Sequence, residues 1–232
     1  ALFMGDSITG ELAGVFEGLT NMRAARVVRI VGVSSSGRGG VCAIRTGIHA
    51  ALHEKGSEGP FSAIFVGGYS LHHLFRGGRW LRDYSDKPHP TEAHRSLMAA
   101  VLRSLAAVSN GPSLGGLPLV FIGSYSAEGA VLHLSPPKHD WVEFYDHSLP
   151  AIWDGIEAEI FQQIQLHGGR GGRNAFPNFF HFRPLKVAQA CPGVRCDGMH
   201  YGSWGEDTEC KNSKGVWYRP LADFLLRSFP AG

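Results

Sequence analysis

The chain predicts an α/β fold: a mainly parallel sheet of five strands with helices on both faces, a three-layer α/β/α sandwich. Three observations predict it. Short apolar runs bounded by Gly, Pro or Ser recur along the chain and read as strands. Longer segments with helically spaced apolar residues lie between and after them. The 232 residues, 44% hydrophobic and 18% charged, suit one domain with its own core.

The first strand is Ala1–Gly5, followed by Arg26–Val33, Ala63–Gly67, Pro118–Gly123 and His181–Ala188. Their near-continuous apolar character is that of parallel strands covered on both faces. Between them, Glu11–Asn21 carries Leu12, Val15, Phe16 and Leu19 at helical spacing, and Cys42–Lys55 follows a Gly-rich turn. Thr91–Val108 has the stripe Leu97, Val101, Leu102 and Leu105, and Asn110-Gly111 stops it. Pro150–Gln165 carries Ile152, Ile156, Ile160 and Ile164 four apart, and Pro220–Phe229 forms the last helix. Strands alternating with helices imply parallel pairing through right-handed crossovers. Phe65-Val66-Gly67-Gly68-Tyr69-Ser70 is echoed by Phe121-Ile122-Gly123-Ser124-Tyr125-Ser126, which reads as two parallel strands ending alike.

Composition narrows the function. A net charge of +2 gives no electrostatic case for nucleic acid or a membrane surface. An RGG-type reading of Gly168–Gly172, with Arg170 and Arg173, is outweighed by that balance. No apolar run reaches the length of a membrane span. The sequence begins Ala1-Leu2-Phe3-Met4 and reads as a domain excised from a longer chain. Of the four cysteines, Cys191, Cys196 and Cys210 lie close together and Cys42 stands apart. An even count permits two disulfides in three connectivities, and a disulfide points to a secretory compartment. Without a C-x-x-C spacing, zinc is the weaker reading, and no metal or cofactor is expected.

In open parallel sheets ligands bind beyond the carboxyl ends of the strands. Just after the first strand stands Gly5-Asp6-Ser7-Ile8-Thr9-Gly10. A Ser on a tight strand-to-helix turn meets the unpaired N–H groups of a helix start, which suit a developing oxyanion. The same residues also suit a plain helix cap. Near the other end stands Cys196-Asp197-Gly198-Met199-His200. A carboxylate three residues before an imidazole can accept its Nδ1–H and leave Nε2 as a base. With 12 His in the chain, as in His139-Asp140 and Asp146-His147, chance neighbours are expected.

The two motifs together, a Ser after the first strand and an Asp-x-x-His before the last helix, resemble the SGNH or GDSL hydrolases. Gly5-Asp6-Ser7 matches the first block, and Asp197 to His200 the last. Arg195-Cys196-Asp197-Gly198-Met199-His200-Tyr201 looks most like the PC-esterase branch, which acts on O-acylated glycans. The resemblance implies a flavodoxin-like fold with Ser7 as nucleophile, His200 as base and Asp197 as its orienter. It implies an oxyanion hole from the Ser7 N–H, a Gly after the second strand, here Gly37, and a third donor. That donor is an Asn in the family. Here Gly67-Gly68-Tyr69-Ser70 has none, so Gly68 N–H or Ser70 is the substitute. Asp6, His72 and Trp204 are candidates for contacting substrate, although a His pair such as His72-His73 and a lone Trp are more often structural.

The expected function is hydrolysis or transfer of an acyl ester through an acyl-enzyme on Ser7, with an acylated small molecule or glycan as substrate. The missing Asn motivates a different class, a catalytically weak or inactive carbohydrate- or protein-binding domain. The position of Cys196 beside Asp197 suggests a disulfide, with Cys210 as one partner, that pins the turn. The expected setting is the secretory pathway, Golgi lumen or extracellular, without membrane contact by this domain.

Overall fold

The computed structural model describes residues 1–5, 7–20, 28–31, 40–55, 61–67, 75–76, 79–80, 90–124, 131–132, 149–167, 175–184, 194–195 and 208–229. At 7–8, 28–31, 40–44, 54–55, 75–76, 79–80, 90, 93, 131–132, 149–150, 194–195 and 208–217 the description is of the backbone. In chain order the elements are β1 (Leu2–Gly5), α1 (Ser7–Leu19), β2 (Val28–Val31), α2 (Gly40–Lys55), β3 (Ile64–Gly67), β4 (Phe75–Arg76), β5 (Arg79–Trp80) and α3 (Pro90–Ser109). There follow β6 (Leu119–Ile122), β7 (Val131–Leu132), α4 (Leu149–His167), β8 (Phe179–Phe182), β9 (Val194–Arg195) and α5 (Thr208–Ser228). A short 3₁₀ turn at Pro112–Leu114 precedes β6.

The fold is mixed α/β around a parallel sheet in the order β2-β1-β3-β6-β8. The first strand of the chain is therefore internal, flanked by β2 and β3. The two echoed segments are neighbours, β3 and β6, paired with a one-residue stagger: Val66 faces Phe121, and Gly67 faces Ile122. Because side chains alternate along a strand, the stagger sends Phe65 and Phe121 to opposite faces. Phe65 stacks on Phe3 at 4.5 Å and meets Phe16 of α1 and Phe229 just past α5. Phe121 meets His181, whose ring packs on Phe161 of α4. The helices follow the same division, with α1 packed on α5, and α3 on α4 and α2.

Several sequence boundaries move. The last long strand begins at Phe179 and stops at Phe182, rather than running from His181 to Ala188. Arg183 is no longer in the strand, and Pro184, lacking an N–H, cannot extend a ladder. The final helix starts at Thr208, so Pro220 lies within it instead of opening it. A Pro in mid-helix forgoes one backbone bond, and packing against α1 offsets that loss. In α4 the expected stripe of four Ile is not the inner face. Ile156 and Ile160 are buried, but Ile152 is 43% exposed and Trp153 takes the core position. Residues four apart advance 400° around a helix, so such a row drifts off its face by about 40° per step. The pair β4 and β5 was not foreseen, although Gly77-Gly78 between them is a favoured hairpin dipeptide. A second small sheet pairs β7 with β9 in parallel. Among the described residues, no helix is long and apolar enough to cross a membrane.

Candidate functional site

The carboxyl edge of the sheet is where the sequence directs attention, and β1 delivers the chain there abruptly. Gly5 ends β1, one residue intervenes, and Ser7 is the first residue of α1. The first turn of a helix has N–H groups without intrahelical partners and the positive end of its dipole. At the end of β1 two backbones nearly touch. A Cβ on Gly5 would fall 2.3 Å from the Gly67 carbonyl oxygen and 2.6 Å from Thr9 Oγ1. Only a residue without a side chain fits between β1 and β3 at that level. Thr9 is itself buried, so the first turn of α1 is seated on the ends of two internal strands.

One turn further along, Glu11 is also buried and accepts a hydrogen bond of 2.7 Å from Tyr218 of α5. The helix that begins with Ser7 is thus held by the sheet beneath it and by α5 beside it. Asp6, Gly37, Gly68, Ser70, His72, Asp197, His200 and Trp204 lie outside the described residues, as does the side chain of Ser7. The same holds for the cysteine side chains and the loop at 168–172. What the structure gives for the end of the chain is β9, which places Arg195 two residues before Asp197 in the sequence.

A second polar cluster at the same edge was not anticipated. Glu157 of α4 is 1% exposed. Its Oε2 accepts the Ser124 backbone N–H at 2.8 Å, and its Oε1 accepts the Ser124 hydroxyl at 2.7 Å. Oε1 is also 2.8 Å from His94 Nε2 of α3. A carboxylate only accepts, so that shared hydrogen sits on Nε2. The His94 ring stacks on Trp153 with centroids 5.0 Å apart. His181 Nε2 lies 3.9 Å from Glu157 Oε2, beyond hydrogen-bond range, and has no hydrogen-bond partner among the described residues. Gly123 makes the approach possible: a Cβ there would sit 2.6 Å from Glu157 Oε2 and 2.7 Å from His181 Nε2.

Burial pushes the His181 imidazole below its ordinary pKa, against the pull of Glu157 and Asp154 and assisted by Arg183. Arg183 in turn grips Asp154 with two guanidinium nitrogens, Nε at 2.9 Å and Nη2. That pairing raises its pKa above the usual guanidinium range. Among the described residues no cluster of His, Cys, Asp or Glu has metal-holding geometry. The cluster was hidden because sequence periodicity marks apolar faces. A buried carboxylate at i+4 from Trp153 is visible only once the true inner face of α4 is known.

A cavity of about 600 Å³ lies between the far ends of α3 and α4, lined by Arg103, Ala106, Asn110, Ile160, Ile164 and Phe176 among others. Those helix ends lead into β6 and β8, so the cavity is at the amino edge of the sheet, opposite Ser7.

No protein-family model and no curated protein matches the chain. A solved crystal structure aligns over 98% of this chain and 96% of its own, with 14% identity and a TM-score of 0.50. At that identity the likeness concerns the fold alone.

Proposed function

We propose that the chain is a serine-dependent acyl-ester hydrolase or O-acyltransferase of the SGNH type, acting on an O-acylated, glycan-like substrate. The observation that carries this reading is the position of Ser7. It opens α1 one residue beyond an internal strand of a parallel sheet. The chain turns from β1 to β2 on one side, and all later strands of that sheet build on the other. Ligands of doubly wound sheets bind where the strand order reverses, and the order is that of flavodoxin-like folds. The division of helices into α1 with α5, and α3 with α4, supports a three-layer sandwich.

In this reading Ser7 Oγ attacks the ester carbonyl while His200 Nε2 takes its proton. Asp197 accepts the His200 Nδ1–H and stabilises the imidazolium. The oxyanion is met by the N–H of Ser7, by Gly37, and by Gly68 N–H or Ser70 in place of the family's Asn. His200 then protonates the departing alkoxide, leaving Ser7 acylated. Deacylation by water makes an esterase; deacylation by a sugar hydroxyl makes a transferase. Asp6, His72 and Trp204 are the proposed substrate contacts, and the secretory pathway is the proposed setting.

Turnover of p-nitrophenyl acetate, with and without a glycan acceptor, tests the reading together with a fluorophosphonate probe. Ser7→Ala is expected to abolish both turnover and labelling. Unchanged turnover in Ser7→Ala removes Ser7 as nucleophile. A folded wild type that neither turns over ester nor takes the probe favours a binding domain.

A further inference from the structure

At the edge of the sheet opposite Ser7, α3 and α4 leave a gap between them. Nearer the carboxyl edge the two helices are spaced by large rings, with His94 stacked on Trp153 at 5.0 Å. Towards the other end α3 offers the small side chains of Ala106 and Ala107, and there the cavity of about 600 Å³ opens. Each helix lines it with one face: Arg103, Ala106, Ala107 and Asn110 from α3, and Ile160, Gln163, Ile164 and His167 from α4. Both sets follow the i, i+3, i+4, i+7 spacing that keeps residues on one side of a helix.

The lining is sorted by depth. Ala106 and Ile160 are buried, and Ile164 and Phe176 are partly buried against the core. Together they make an apolar floor. Arg103, Asn110, Gln163 and His167 are exposed and form the rim. Cavities of roughly 300–1,000 Å³ with an apolar lining and a few polar groups at fixed places are the kind that hold small organic ligands.

The rim selects the charge of such a ligand. Among the described residues no carboxylate lines the cavity. Glu159, one turn of α4 before Gln163, is held by Arg95 at 3.0 Å and by the Gln163 amide at 3.1 Å. Arg103 has no ion pair among the described residues. Two helix ends also bring carbonyl oxygens here, a feature that by itself favours a cation. Those carbonyls are engaged. Ala106 O accepts the Ser109 hydroxyl at 2.8 Å, Val108 O the Gly111 N–H at 2.9 Å, and Gln165 O the Ala175 N–H at 3.2 Å. A guanidinium at the rim of an apolar floor matches a carboxylate carried on an apolar body.

We propose that this cavity is a binding site for a small organic carboxylate. Its aliphatic or aryl body rests on Ala106, Ile160, Ile164 and Phe176, and its carboxylate meets the Arg103 guanidinium. The site does not rest on the reading of Ser7, which stands at the other edge of the sheet.

Calorimetric titration of the full chain with octanoate tests the site. Binding at a single site with Kd below about 1 mM is expected. The uncharged 1-octanol, with the same apolar body, is expected to bind about tenfold more weakly or worse. Arg103→Gln is expected to weaken octanoate about tenfold and to leave 1-octanol unchanged. Ala107→Phe puts a ring into the gap and is expected to abolish octanoate binding while p-nitrophenyl acetate turnover matches the wild type. Both changes fall at exposed positions, so the fold is expected to tolerate them. Arg219→Gln removes the same charge from an exposed position on α5 and is expected to change nothing. A folded wild type that does not bind octanoate overturns the site, and so does undiminished binding in Ala107→Phe. Equal affinity for octanoate and 1-octanol, or an equal loss in Arg219→Gln, overturns the role of Arg103.

Discussion

Tyr218 of α5 donates its phenolic hydrogen to Glu11 of α1 at 2.7 Å, with both residues buried. Removing a donor from a buried carboxylate costs more than the net worth of an ordinary hydrogen bond. Tyr218→Phe is therefore expected to destabilise the protein by about 1–3 kcal/mol, read from urea unfolding at constant slope. A loss within a few tenths of a kcal/mol would mean that Glu11 is satisfied without the phenol.

Gly5 sits where a side chain has no room. Gly5→Ala drives a methyl into the Gly67 carbonyl, a backbone atom that cannot swing aside. The expected cost is about 1–3 kcal/mol or more, measured by thermal unfolding. Under the proposed chemistry ester turnover is expected to fall beyond what the lost stability explains, because Gly5 stands two residues before Ser7, where α1 begins. An Ala variant with wild-type Tm would show that β1 and β3 are further apart than 2.3 Å implies.

Phe65 is fully buried between Phe3, Phe16 and Phe229. Phe65→Ala leaves a large cavity where sheet, α1 and the end of α5 meet. A loss of about 3–5 kcal/mol is expected by denaturant titration.

His181 makes stability depend on acid. Its folded pKa lies below the ordinary value of 6.5, chiefly through burial. As pH falls through about 6.5 the unfolded chain binds the proton first, so this contribution is complete above that pH and shrinks below it. One proton limits the slope to about 1.4 kcal/mol per pH unit. Glu157 and Asp154 of α4 oppose the shift, Arg183 reinforces it, and His94 of α3 shares Glu157. His181→Phe, whose ring would join Phe121 and Phe161, is expected to flatten the fall in Tm below pH 6.5. An undiminished slope would assign the acid sensitivity to another group.

The main-sheet strands were legible because each is an apolar run ended by Gly, Pro or Ser, and β1, β3 and β6 fall within a residue or two of expectation. The echo between residues 65–70 and 121–126 pointed to two parallel strands; that β3 and β6 are also paired neighbours was not legible in it. Turn chemistry misled at both ends of the later chain. Pro220 looked like a helix start but lies inside α5, and the expected strand 181–188 overran Pro184. The place of Ser7 was legible only in part: local pattern put it on the turn between β1 and a helix from Glu11, whereas α1 begins at Ser7 itself. The Glu157 cluster was not legible. It joins α3, α4 and the end of β6, and no local spacing connects residues 94, 124 and 157.

The contact between α1 and α5 spans 207 positions of sequence at Glu11 and Tyr218. During synthesis every strand of the main sheet is made before the helix that covers Phe65, Phe180 and Phe182 on one face. Until α5 emerges, Phe180 and Phe182 on that face lack the rings of Phe229 and Phe224, and Phe65 has only Phe3 and Phe16 against it. Completion of the fold is therefore a late, long-range event. A contact of such sequence separation forms only after a large loop-closure cost, so the protein without α5 is expected to leave this aromatic surface open to aggregation.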